Sequence, residues 1–146
     1  MRVIVGTVFA NLALLSIAAS AFYLSSQVPP IRFIDARIKE PFITLDSIAT
    51  VVVTARVFEQ CPSEINGFWK NEQNGVVVHR FPTVTGGYTE ANSEIRDITV
   101  RRPVPATTDE GERLPGRICY VASIRHSCGL IPVNSTTPPA CVSVRQ

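Results

Sequence analysis

Four cysteines, two histidines and one acidic loop are the side chains in this sequence with the most obvious chemistry to offer. Cys61, Cys119, Cys128 and Cys141 show no C-x-x-C spacing, so a zinc site is not indicated, and disulfides are the expected use. Of the three possible pairings, Cys61 with Cys128 and Cys119 with Cys141 is preferred. Cys61 and Cys128 each follow a strand on that reading and lie at one end of the domain, with Cys119 and Cys141 toward the other. The rival, Cys61 with Cys119 and Cys128 with Cys141, joins opposite ends of strands, well beyond the roughly 7 Å that a disulfide allows between Cα atoms.

The remaining candidates point away from catalysis. His79 and His126 stand in no nucleophile-elbow, metalloprotease or triad-like local context, and both are expected to face outward from strands. Residues 107–112 carry Asp109, Glu110 and Glu112 without EF-hand spacing, which reads as a solvated acidic loop. Arg101 and Arg102 are adjacent, so on a strand they point to opposite faces and cannot form one anion-binding fork. Asn134-Ser135-Thr136 is a glycosylation sequon wherever the host has that machinery. No catalytic residue, metal ligand or cofactor site is expected.

What must position these groups is a chain of short strands behind an apolar leader. Residues 3–24 contain no charge, and 22 helical residues reach about 33 Å, enough for a hydrocarbon core of roughly 30 Å. Pro29 and Pro30 stop such a helix near Ser26. Residues 1–26 are therefore read as a transmembrane signal-anchor. The alternative is a signal peptide cleaved near Ala21, since Ala19-Ser20-Ala21 has the small-x-small form. Both fates export the rest of the chain, with the carboxyl end outside, because cysteines persist as disulfides in oxidising compartments. Residues 27–40 form a linker and possible first strand.

Residues 41–146 are read as one domain. Taking off the first thirty of 146 residues leaves 116, enough for a single core. Of 14 basic residues only Arg2 precedes Ile31, leaving 13 against 12 acidic ones, so no net field favours nucleic acid. Ala49, Val51, Val53, Ala55 and Val57 alternate with Thr50, Thr54 and Arg56, predicting a strand with one buried face that runs from Ile48 toward Cys61. Phe68 and Trp69 on one side and residues 76–81 on the other flank Asn71 to Gly75, a hairpin loop in which Asn74-Gly75 supplies the positive φ values of the turn. Further strands are expected at 95–102, closed by Pro103, at 118–126 after Leu114-Pro115-Gly116, and toward Val142 and Val144, where Pro138 and Pro139 suit only an edge. Six or seven such strands predict an all-β fold, an immunoglobulin-like antiparallel β-sandwich.

The layout resembles small tailed-phage or bacterial single-span proteins with a periplasmic immunoglobulin-like domain. The resemblance rests on residues 51–61 ending in Cys61, on Leu114-Pro115-Gly116 before the strand at 118–125, and on the ending Thr137-Pro138-Pro139-Ala140-Cys141-Val142-Ser143-Val144. Members often carry a second cysteine before the strand that begins here at Ile95, where this chain has Glu94. It implies an inner-membrane anchor, a periplasmic domain and no catalytic residues. The expected role is a membrane-tethered interaction module that touches an envelope protein or glycan through loops at one end. Those loops would be 62–67, with Pro62, Ser63, Glu64 and Asn66, and 127–133, with Ser127, Gly129 and Leu130. A structural subunit of an envelope or virion assembly is the second expectation, and an exported hydrolase the third.

Overall fold

The computed structural model of the protein describes residues 14–17, 19–20, 29–87, 93–129 and 132–145. Residues 14–17 and 19–20 are helical, and no helix among the described residues is long and apolar enough to cross a membrane. Most of the expected 1–26 anchor lies outside the described residues.

From Ile31 onward the chain is mostly strand: β1 (Ile31–Ile38), β2 (Phe42–Thr44), β3 (Ile48–Val57), β4 (Pro62–Asn71), β5 (Val77–Arg80), β6 (Val84–Gly87), β7 (Ile95–Pro103), β8 (Arg117–His126), β9 (Val133–Thr136) and β10 (Ala140–Arg145). One sheet has the order β1-β3-β7. The other runs β2-β10-β8-β4-β5, with β6 also on β4 and β9 also on β8. The pairing is antiparallel except where β2 runs parallel to β10, a departure from the all-antiparallel expectation. β1 belongs to the first sheet through its ladder with β3, so residues 27–40 hold the possible first strand expected there.

The alternation read in β3 is what joins the two sheets. Ala49, Val51, Val53, Ala55 and Val57 are all buried, and the first three share a core with Trp69, Val78, Ile118, Tyr120, Ala122 and Val142 of the second sheet. A smaller cluster of Ile31, Ala55 and Val57, with Phe33 and Ile98 against it, fills the end where the chain enters. β3 stops at Val57 instead of reaching Cys61, because residues 58–60 cross from one sheet to the other, with the Phe58 amide donating to Pro30 O. In the β4–β5 hairpin only Gly75 takes a positive φ, of 70°, and Asn74 does not. The Gly75 amide donates to Asn71 O and the Asn71 amide to Val76 O, closing the Asn71–Gly75 loop where it was expected.

Prolines set the shape of the larger sheet. Between the pairs Ile65↔Val84 and Phe68↔Arg80, β4 advances three residues (68 − 65) while its partner advances four (84 − 80). Between Ser123↔Thr136 and Tyr120↔Ala140, β8 likewise advances three (123 − 120) and its partner four (140 − 136). One extra residue therefore sits in each partner, at Phe81-Pro82-Thr83 and at Thr137-Pro138-Pro139, and a proline is acceptable in a bulge because the ladder has already lost a donor there. Thr137 fills its gap: its amide donates to Ala122 O and its hydroxyl accepts from the Ala122 amide. Pro138 and Pro139 thus lie in the outer line along β8, at a level where no further strand among the described residues pairs them, which is the edge position expected of them. The two bulges fall at one level, where Gly67 pairs Ala122.

Tyr120 lies across that level. A Cβ on Gly67 would stand 2.6 Å from Tyr120 Oη and 3.2 Å from its ring carbons. The ring is held from the other sheet, with Arg102 Nε donating to Tyr120 Oη at 3.0 Å. Gly67→Ala is expected to push the ring off this bond and to cost about 1–3 kcal/mol, measured as a lowered denaturation midpoint.

Candidate binding site

Of the sequence-selected residues, Cys61, Pro62, Ser63, Glu64, Ser127 and Cys128 gather at the end where the chain enters. β4 starts there and β8 finishes there, so Cys61, just before one, bonds to Cys128, just after the other. Cys119 bonds to Cys141 directly across the β8–β10 ladder. Both pairs are the ones preferred from strand ends. Beside the first disulfide lies an open cleft of about 520 Å³ lined by Gln60, Cys61, Pro62, Ser63, Glu64, Thr85, Gly86 and Ser127.

Segment 62–67 is not a loop, however. It is the first half of β4, an interior strand flanked by β6 and β8. Pro62 is its first residue, where a missing amide proton is tolerated. Ser63 is buried and donates its hydroxyl to Gly86 O, Glu64 faces solvent opposite Arg125, and Asn66 Oδ1 accepts from the Thr83 hydroxyl at 2.5 Å. The signal for this strand was the parity shared by Ser63, Ile65, Gly67 and Trp69, hidden by residues with low strand preference. Ser127 and Gly129 do lie outside strands, and the Ser127 amide donates to Pro62 O. Leu130 lies outside the described residues.

His126 does not face outward. It shares the inward face with Ser63 and is completely buried, Nε2 standing 3.1 Å from the Ser135 hydroxyl. Burial disfavours the imidazolium and lowers its pKa below the ordinary 6.5. As the pH falls through 6.5, the unfolded chain therefore takes up a proton that the folded chain still refuses, and stability held at higher pH is lost. Denaturation midpoints compared between about pH 7.5 and 5.5 should fall, and His126→Gln should flatten that slope.

The opposite end holds a second arrangement. β4 spans ten residues, which puts its Asn71 end about 30 Å from Pro62. His79 pairs with Trp69 on the inward face, at the open edge of the sheet, and its Nδ1 lies 2.7 Å from Asp109 Oδ1. Asp109 Oδ2 accepts from the Arg80 amide, and the Asp109 amide donates to Val78 O. The acidic loop is solvated as expected, with Asp109, Glu110 and Glu112 exposed, and it also runs along the outer edge of β5, where the Asp109 carboxylate serves as a surrogate strand partner. Asn71, Asn74, Arg80, Asp109, Glu112 and Arg113 line a cleft of about 350 Å³ between this loop and the hairpin turn.

An aspartate beside an imidazole is also how a general base is oriented. Here both carboxylate oxygens and the Asp109 amide are committed to β5, which suits a clasp. Two convergent acid–sulfur groups, Glu59 with Cys61 and Cys128 and Glu72 with Cys119 and Cys141, each consist of one carboxylate and a disulfide whose sulfurs are not thiolates.

No family model matches the chain, and no curated protein matches it in sequence. Among solved structures, the C-terminal domain of Wzt is similar over 80% of this chain and 74% of that one, with a TM-score of 0.53 and 9% identity. Looser likenesses extend to Pseudomonas fluorescens alkylpurine DNA glycosylase AlkC (TM-score 0.46, 9% identity, 80% of this chain and 31% of that one) and to the Bacillus subtilis sporulation control protein Spo0M (0.48, 10%, 82% and 51%). The chain spans about a third and a half of those two proteins. At such identities the likeness to the Wzt domain concerns the fold alone.

Proposed function

We propose that the protein is an exported interaction module, an immunoglobulin-like β-sandwich held in the bacterial envelope by its apolar leader. The observation that carries this reading is the division of the domain into two ends. The chain enters beside Cys61–Cys128, and the polar cleft of Asn71, Asn74, Arg80, Glu112 and Arg113 opens about 30 Å away. A partner in the envelope, protein or glycan, meets this far cleft, because a retained anchor turns the entry end toward the bilayer. Two disulfides and a shared core make a rigid platform for loops that bind. The resemblance to tailed-phage single-span proteins supports the envelope of an infected bacterium as the setting.

A photo-crosslinking amino acid at position 74 of the full-length protein in cells tests this. It should yield a discrete adduct that disappears in an Arg80→Ala/Arg113→Ala variant of unchanged thermal stability. Absence of any adduct at position 74, or a chain found with four free thiols, refutes the reading.

A structural subunit is the second reading, supported by the free side of β7, a nine-residue edge that no strand among the described residues pairs. A discrete oligomer in mild detergent, abolished by Thr99→Pro, would favour it.

A further inference from the structure

The face of the first sheet at the entry end carries a cross-strand pair that the linear chain conceals. Arg32 of β1 stands directly opposite Arg56 of β3, and Arg56 in turn pairs Ile95 of β7. All three point away from the core, because their neighbours Ile31, Ala55 and Val57 are the buried ones. Like charges placed directly opposite destabilise a sheet. Among the described residues neither arginine has a carboxylate at ion-pair distance. The next acidic residues along this face, Asp35 and Asp97, are engaged with Arg37, and Asp97 also accepts from the Thr54 hydroxyl. Glu59 turns toward the Cys61–Cys128 sulfurs, and Glu94 has a contact of its own.

Around the pair the surface is apolar. Ile34, the extra residue of a bulge in β1, is 49% exposed, Ile95 54% and Phe58 40%. Arg32, Phe33, Ile34 and Arg56 together line an open cleft of about 370 Å³. Two cations with no carboxylate partner among the described residues, set among exposed isoleucines, match a surface that is anionic outside and apolar beneath. Geometry supplies the same surface: six residues separate Leu24 from Ile31, at most about 20 Å of extended chain.

We infer that Arg32 and Arg56, with Ile34 and Ile95, dock the domain on anionic phospholipid headgroups of the membrane that anchors it. This rests on the anchored reading above. Docking holds the domain upright, so that the far cleft faces away from the bilayer.

The test uses the full-length chain with an environment-sensitive fluorescent amino acid encoded at position 95. It is reconstituted in vesicles of phosphatidylcholine alone or with about a third phosphatidylglycerol, both carrying a lipid-attached quencher. Anionic vesicles should raise the ratio of docked to free domains on the order of tenfold, with the gain lost at high salt and in Arg32→Gln/Arg56→Gln. That variant should be no less stable than the parent, since it removes a repulsion. A chain that stays embedded after alkaline washing, yet is quenched equally in both vesicles, overturns this inference alone and leaves the arginines to a soluble anion or an acidic protein. A chain that washes off removes the anchored reading and this one together.

Discussion

Replacing Cys61 and Cys128 together by alanine is expected to lower stability by about 4 kcal/mol, the entropy recovered by an unfolded chain no longer closed across 67 residues. For a domain of this size that is a drop in Tm of roughly 10–20 °C. The companion substitution of Cys119 and Cys141 frees a loop of only 22 residues and should cost about 3 kcal/mol. The order of the two matters more than either value. The short bridge spans a ladder position already held by backbone hydrogen bonds, whereas the long one ties the start of β4 to the end of β8, beside the crossover at 58–60. Guanidinium titrations of both variants under oxidising conditions check this. A larger loss from the short bridge would contradict the chain-entropy account. Because a domain's whole stability is about 5–15 kcal/mol, reduction of both bridges should leave it marginal.

The second large effect is expected at Trp69. It is completely buried, donates from Nε1 to Pro103 O at 3.0 Å, and meets Tyr120 edge-to-face with centroids 5.5 Å apart. Since Trp69 lies in β4 and Pro103 ends β7, this one side chain fastens the two sheets at the far end. Trp69→Ala should cost about 3–5 kcal/mol by cavity formation. Trp69→Phe keeps most of the apolar area but leaves Pro103 O without its donor, and should cost about 1–2 kcal/mol. Thermal denaturation followed by far-ultraviolet circular dichroism separates the two. Equal losses would mean that the hydrogen bond, not the packing, does the fastening.

Much of this fold was legible in the sequence. The parity of Ala49, Val51, Val53, Ala55 and Val57 is a local period-two signal, and it selects the buried face of β3 correctly. Gly75 announces the hairpin, and Leu114-Pro115-Gly116 the start of β8. The disulfide pairing followed from placing cysteines at strand ends. These features depend on a few consecutive residues, or on strand direction, and both can be read from a string of letters.

Tertiary structure decided what depends on register between distant strands. Arg32 and Arg56 lie 24 positions apart (56 − 32) and become neighbours only through the β1–β3 ladder. His126 reads in the sequence as one more polar residue near a strand end. It is buried because β8 carries it to the level of Ser63 and Ser135. Pro138 and Pro139 suit an edge by their chemistry and lie in one, but the bulge that takes them is set by the registers of β9 and β10 on β8. Composition and periodicity assign each strand its inner face, but the energy that chooses its partner and offset comes from contacts spread over the whole core, and those exist only once the chain has closed.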